Sequence, residues 1–202
     1  MSANPTPKFV TVEEYLKQES RAQFPSEYFN GQVFPMFATS PQHAAIVMNV
    51  GSELRHRLKD KPCRVYGHAL ILRVSATGLY TYPDVTVICG EPQLVEGQKD
   101  AATNPVLIVE VLSPSTQDYD RGQKFQHYRT LPTLIDYLMI AQDRPHIEHW
   151  IRQGENRGLL VEYSDLGQSI DLTSIGCVLP LTEVYDKIEW PTSGAILHPP
   201  QV

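Results

Sequence analysis

Nothing in the chain approaches the roughly 18 consecutive apolar residues that a membrane-crossing helix needs, so no segment reads as a span. The opening, MSANPTPKFV, has no apolar stretch behind a basic region and does not read as a signal peptide. Cysteine is scarce. Cys63, Cys89 and Cys177 are odd in number and show no CxxC spacing, which argues against a disulfide framework or a zinc site. That pattern fits a reducing compartment and points to the cytoplasm. Positive charge is also in short supply, with 17 Lys and Arg against 23 Asp and Glu and a formal net charge of -6. Nucleic-acid binders usually present a basic face, because neutralising phosphates supplies much of their affinity. The densest basic stretch here, Arg55, His56, Arg57, Lys59, Lys61 and Arg64, reads as a solvated helix end. Repeats, low-complexity tracts and interdomain linkers are missing. The expectation is one domain over residues 1–202, with its core from about 11 to 190 and loose termini. A chain of this size buries enough surface to need no covalent staple.

What is present is punctuation for a mixed α/β fold. Thr11 and Glu14 are spaced as a capping box at the head of a short helix. Asn30-Gly31 lies between apolar alternations, the strongest short-range hairpin signal, and predicts an amino-terminal β-hairpin over Ser26 to Phe34. Pro41 opens a longer helix to about Leu58, with Ala45, Met48, Leu54 and Leu58 on its apolar side. Strands are expected over Arg64 to Val74, Tyr82 to Cys89 and Pro105 to Leu112, with a loop from Glu91 to Asn104. A helix from Gln117 to Thr130 stops before Pro132. Ile135 to Ala141 and His146 to Arg152 form two strands around a turn, and a last hairpin uses Leu159 to Tyr163 with Ser169 to Leu172. A short helix over Leu181 to Ile188 precedes a loose, proline-rich end from Pro191. The order predicts a mixed sheet with helices packed on it.

The chemistry concentrates between Tyr82 and Tyr128. Glu110 interrupts the apolar run Val106 to Leu112, and an ionised carboxylate leaves water only at high cost unless it is paired or bound to metal. A solvated strand face or a structural ion pair is the plainer alternative. Asp84 follows Pro83 at the head of the preceding strand, where it is a turn residue or a second carboxylate. Neighbouring strands bearing one acid each bring two carboxylates within reach of one ion. Magnesium takes carboxylates, waters and substrate phosphate oxygens, and the backbone carbonyl near Val111 adds another oxygen. Strand periodicity puts residue 112 on Glu110's face, and that residue is a leucine. A cation must therefore come from elsewhere. Asp120, Lys124 and Tyr128 share a helix face, so Lys124 is the candidate, the alternative being an exposed Asp120–Lys124 pair. Ser115 or Thr116 suits a helix cap. Glu27 is a surface acid or a third acid toward the ion. His43 is a structural histidine, a ligand or a phosphate contact. His146 and His149 point to opposite faces of one strand and do not share an ion.

Four blocks, EYFNG at 27–31, YPDV at 82–85, VEVLSPST at 109–116 and DRGQKFQHYR at 120–129, resemble the Uma2 family of restriction endonuclease-like proteins, abundant in cyanobacteria. The resemblance runs from about Thr11 to Arg152. It places the chain in the PD-(D/E)XK nuclease superfamily. It implies a restriction-endonuclease-like mixed β-sheet flanked by helices, dependence on Mg²⁺ or Mn²⁺, DNA as substrate and a homodimer. By position it makes Asp84 and Glu110 metal ligands, Lys124 the displaced lysine and Glu27 an additional acid. Leu112 departs from the superfamily pattern, as do Asp136 and Leu138 from the family's usual Glu-Tyr-Trp. A catalytically inactive nucleic-acid-binding or interaction module on the same fold is the alternative, favoured by Leu112 and by the net charge of -6.

Overall fold

A computed structural model describes residues 9–36 and 39–190. The expected loose termini, to Lys8 and from Pro191, lie outside the described residues. Helix α1 (Val12–Glu19) begins with the capping box, Thr11 accepting from the Glu14 N–H while the Glu14 side chain accepts from the Thr11 N–H. The hairpin of β1 (Ser26–Phe29) and β2 (Gln32–Pro35) closes over Asn30 and Gly31 at φ 48° and 80°. Positive φ at both central residues is what a type I′ turn demands. Helix α2 (Pro41–Arg57) starts on a Ser40 side-chain cap with proline in its first turn. Its inward residues are His43, Ile46, Val50 and Leu54. Fully burying each of the three aliphatics contributes about 1.5–3 kcal/mol. Met48, expected on the apolar side, is 69% exposed, because the buried stripe follows 43–46–50–54.

Next come β3 (Cys63–Gly67), β4 (Ile71–Val74), β5 (Leu79–Thr81), β6 (Val85–Cys89), β7 (Ala101–Ala102) and β8 (Leu107–Leu112). A helical segment follows: α3 (Gln117–Tyr119), a π-helical turn (Asp120–Lys124) and α4 (Phe125–Tyr128). The chain closes with β9 (Asp136–Ala141), β10 (Ile147–Arg152), β11 (Gly158–Tyr163), β12 (Ser169–Leu172), β13 (Cys177–Pro180) and α5 (Leu181–Val184).

The architecture is mixed α+β. A six-stranded sheet runs β11-β10-β9-β8-β6-β3, with only β8 and β9 parallel. A second sheet runs β2-β1-β5-β4-β7. Four strand expectations change. Arg64 to Val74 is two strands, β3 and β4, in different sheets. Tyr82 to Cys89 is shortened to Val85–Cys89, since the chain leaves one sheet at Thr81 and enters the other only at Val85. The loop from Glu91 to Asn104 contains β7, which pairs with β4. The last hairpin is not Leu159–Tyr163 with Ser169–Leu172: β11 pairs with β10, and β12 with β13. Alternation places a residue on a face but does not choose its partner strand.

The two faces of β8 meet different layers. Leu107, Val109 and Val111 pack with Ile46, Val50 and Leu54 of α2 and Leu181 and Val184 of α5. Ile108 and Leu112 face the opposite way, toward Tyr128, Leu131 and the second sheet's Leu72, Val74 and Leu79. Period two sends Glu110 to this second face, between the two sheets and beneath the helical segment.

The cysteine expectation also changes. Cys63 and Cys89 stand directly opposite one another on β3 and β6 and form a disulfide, leaving Cys177 free and buried. The three cysteines therefore no longer argue for a reducing compartment. The bridge closes a 26-residue separation and ties down the edge strand β3. Cys89→Ser is expected to lower the unfolding free energy by about 3 kcal/mol. Urea titrations of both forms, with and without dithiothreitol, check this, and equal midpoints for oxidised and reduced wild type would contradict it. Among the described residues no helix is long and apolar enough to cross a membrane.

Candidate active site

Asp84 occupies the place where β6 would continue if it were longer. The β6–β8 ladder ends at Val85 opposite Val109, so residues 110–112 of β8 run on past it. Asp84 Oδ2 fills the gap and accepts the Val111 N–H at 2.7 Å. A residue's N–H and C=O face the same edge of a strand, so the Val111 carbonyl also lies on the Asp84 side. His43, buried in the first turn of α2, brings Nε2 to 3.3 Å from the same Oδ2.

Glu110 is 4% exposed and Lys124 5%. Lys124 Nζ stands 2.9 Å from Glu110 Oε1, 3.1 Å from Glu27 Oε1 and 3.5 Å from Asp120 Oδ1. The Asp120–Lys124 pair is thus buried, against the exposed alternative. The π-helical turn explains how a helix face reaches so far. Its wider loop brings Asp120, Lys124 and Tyr128 to one side, and such turns recur at functional sites. Tyr128 donates its hydroxyl to Glu110 Oε1 at 2.7 Å. Thr81 of β5 and Tyr119 of α3 donate to Glu27, the latter at 3.2 Å. Leu112 lies in the apolar layer with Tyr128 and Leu131, so the leucine there is a core residue and the amine comes from the helix.

Three carboxylates, Glu27, Glu110 and Asp120, surround this single ammonium, and Asp84 stands beyond them against His43. Burial pulls the Lys124 amine down, but Glu110 foremost among its neighbours holds it well above the ordinary lysine value. It remains charged. Burial pushes Glu110 up to about 8; Lys124 opposes that rise, while Asp120 and Asp84 add to it. Burial likewise raises Asp120, against the pull of Lys124. One cation does not offset the burial of every acid, and desolvation favours the protonated form of both Glu110 and Asp120.

Among the described residues no group of three or more His, Cys, Asp and Glu side chains is arranged to hold a metal ion. The donor chemistry still suits a magnesium-sized cation, which takes one or two carboxylates and fills its other positions with oxygen. Asp84, Glu110 and the Val111 carbonyl are hard oxygen donors beside an unneutralised negative charge. The site opens into a cavity of about 390 Å³, also lined by Ser40, Ser113, Ser115 and Thr116. Thr116 sits at the helix's N-cap but makes no capping bond; it pairs with the Ser113 hydroxyl at 3.0 Å. Glu27, Asp84, Glu110 and Lys124 all line this cavity, as does His43. His146 and His149 do not, and His149 is buried against Asp136 Oδ1 at 2.7 Å. The roles of Asp120, Tyr119 and Thr81 in the cluster were not read from sequence. Only Asp120 carried a signal, its i, i+4 spacing to Lys124.

A mixed sheet with acids at adjoining strand ends and a lysine on the following helix belongs to the nuclease-like class of folds. A crystal structure of an Anabaena variabilis protein, described as "a putative nuclease belonging to DUF820", has this fold at a TM-score of 0.71 and 17% identity. The match covers 87% of this chain and 97% of that one. The chain belongs to the Uma2 family, described as "Putative restriction endonuclease", whose pattern matches residues 12–182. Two uncharacterized Synechocystis proteins are similar. With sll1609 identity is 36% over 157 residues, 78% of this chain and 89% of that protein. With slr1290 it is 34% over 181 residues, 90% and 93% respectively.

Proposed function

We propose that this protein is a metal-dependent endonuclease that hydrolyses DNA phosphodiester bonds, working from one domain and as a homodimer that presents two sites to a duplex. The observation that carries the reading is the buried Lys124 amine, 2.9 Å from Glu110 at the end of β8, with Asp84 held on the adjoining strand gap. Asp84, Glu110 and the Val111 carbonyl would hold Mg²⁺ or Mn²⁺. Such an ion, when bound, lowers the pKa of water and stabilises charge on a phosphate. Lys124 orients the attacking water and offers a proton-rich ammonium to the charge that develops on the phosphoryl oxygens. Glu27, itself held by Thr81 and Tyr119, fixes where that ammonium points. The Val111 N–H fixes Asp84, and the cavity's hydroxyls give the phosphate hydrogen-bond donors.

Supercoiled plasmid incubated with the protein and Mn²⁺ or Mg²⁺ tests this. Nicking is expected from the wild type and, from Asp84→Asn, a loss of about 100-fold or more. Asp84→Asn should also abolish any rise in Tm that either ion produces at pH 8. Ion-dependent stabilisation without cleavage of any nucleic acid would favour the inactive binding module instead.

A further inference from the structure

The cavity at the acids contains one lysine or arginine among its described lining residues, Lys124, and three carboxylates already surround it. A nucleic-acid strand brings one charge per phosphate, and the phosphates flanking the reacting one find no cation there. A different cleft has the opposite balance. It lies between the C-terminal end of α4 and the β10–β11 hairpin, has a volume of about 810 Å³, and is lined by Arg129, Arg152 and Arg157 against one acid, Glu155. Among the described residues none of these arginines has a carboxylate within 4.0 Å. In a chain with more acids than bases, three guanidiniums left without carboxylate partners in one concavity mark an anion site.

The cleft's frame is also held by several contacts. Arg152 donates through Nε to the Leu134 carbonyl at 2.7 Å, and through Nη2 to the carbonyls of Arg129 and Leu131 at 2.8 and 3.0 Å. Its guanidinium lies 5.3 Å from the Trp150 ring centre. Burial alone lowers its pKa, whereas a neighbouring carboxylate would raise it. Trp150 in turn lies so close to Gly158 that a Cβ there would clash with the indole ring, so the hairpin carrying Arg157 is seated on it. Arg129 stacks at 5.6 Å on Phe125. Arg129 and Arg157 are exposed, so their donors face water and a ligand. Guanidinium forks suit phosphate oxygens in pairs.

We propose that this arginine cleft is a nucleic-acid backbone site, separate from the acid cluster, that holds phosphates of the bound strand. The proposal rests on the phosphodiester reading above for the identity of its anion. By contrast, the basic stretch at the end of α2 is largely occupied: Arg57 pairs with Glu53, Arg64 with Glu91, and Lys61 with the Ile175 and Gly176 carbonyls.

The test is binding of fluorescent 20-residue single-stranded and duplex oligonucleotides to the full chain in EDTA, titrated over salt concentration. Arg129→Ala with Arg157→Ala should lower the slope of log affinity against log salt by about 2, and Arg157→Glu alone by at least about 1. Arg55→Ala with Lys59→Ala, a control on the other basic surface, should leave it unchanged. An unchanged slope in both arginine variants, or an equal fall in the control, overturns the proposal. So does binding of polyglutamate as tight as that of the oligonucleotides, or inorganic phosphate binding without oligonucleotide binding. Thermal melts of each variant verify folding, and Arg157→Glu carries the test if the double variant melts early. Loss of plasmid nicking with this binding intact would sink the phosphodiesterase reading alone. Nicking that persists with an unaltered salt slope would sink the cleft alone.

Discussion

Lys124→Met is expected to lower the unfolding free energy by about 3–5 kcal/mol at neutral pH and to abolish plasmid nicking. The methionine fills nearly the same volume, so the loss is electrostatic. Removing one partner of a buried charge set leaves the others uncompensated, which costs far more than the pair is worth in place. Here Glu27 and Asp120 lose their shared cation, and Glu110, which burial already pushes up, loses the group that opposes that rise. The penalty depends on charge around the vacated site, so it should shrink as pH falls and Glu110 and Asp120, both raised by burial, take up protons. Urea unfolding of both forms at pH 5 and pH 8 measures it. A difference below about 1 kcal/mol at pH 8 would mean that the amine is a surface partner in solution. Adding Mg²⁺ should recover part of the variant's stability and none of its nicking, which separates the amine's role in folding from its role at the phosphate.

Much of this cluster was legible in sequence because its signals are local. Glu110 stands out as a charge in an apolar run, and Asp120, Lys124 and Tyr128 share a helical face by spacing alone. The π-helical turn did not spoil that face, since it widens the very turn between Asp120 and Lys124. Asn30-Gly31 and the Thr11–Glu14 box likewise act within a few residues. Apart from Met48, which local spacing misplaces on α2, the failures are non-local. Val85 begins a strand in a different sheet from Thr81, and although Pro83-Asp84 marks a break between them, hydrophobic alternation does not say which sheet each side joins. Cys63 and Cys89 meet through strand register, which their 26-residue separation does not reveal. Thr81 and Tyr119 reach Glu27 only because two sheets and a helix converge on it. The net charge of -6 concealed a segregated pattern, with acids gathered around Lys124 and unpaired arginines on another surface. A sum over the chain does not report where charges lie.

Glu110→Gln should do the opposite of Lys124→Met to stability while sharing its effect on activity. In the wild type Glu110 has a folded value of about 8 against an ordinary value of 4.5. Between those limits the folded chain keeps a proton that the unfolded chain has released, so stability falls as pH rises through the window and is fully restored only below about 4.5. The amide carries no charge to desolvate and still accepts from Lys124 and Tyr128. The variant should therefore approach the wild type below about pH 4.5 and exceed it at pH 8 by roughly 3–5 kcal/mol, since each pKa unit is worth about 1.4 kcal/mol. Glu27 and Asp120 remain to hold the ammonium, which keeps the substitution from stranding it. Nicking should drop by at least about 100-fold, as for loss of a group that stabilises developing charge. Melting temperatures over pH 4.5 to 8.5 without divalent ions give the readout. Parallel pH profiles for the two proteins would show that Glu110 does not hold the proton that the folded chain keeps. A flatter profile in the variant would identify an acid kept at a stability cost that a bound cation relieves, the trade common where function requires strained or unneutralised groups.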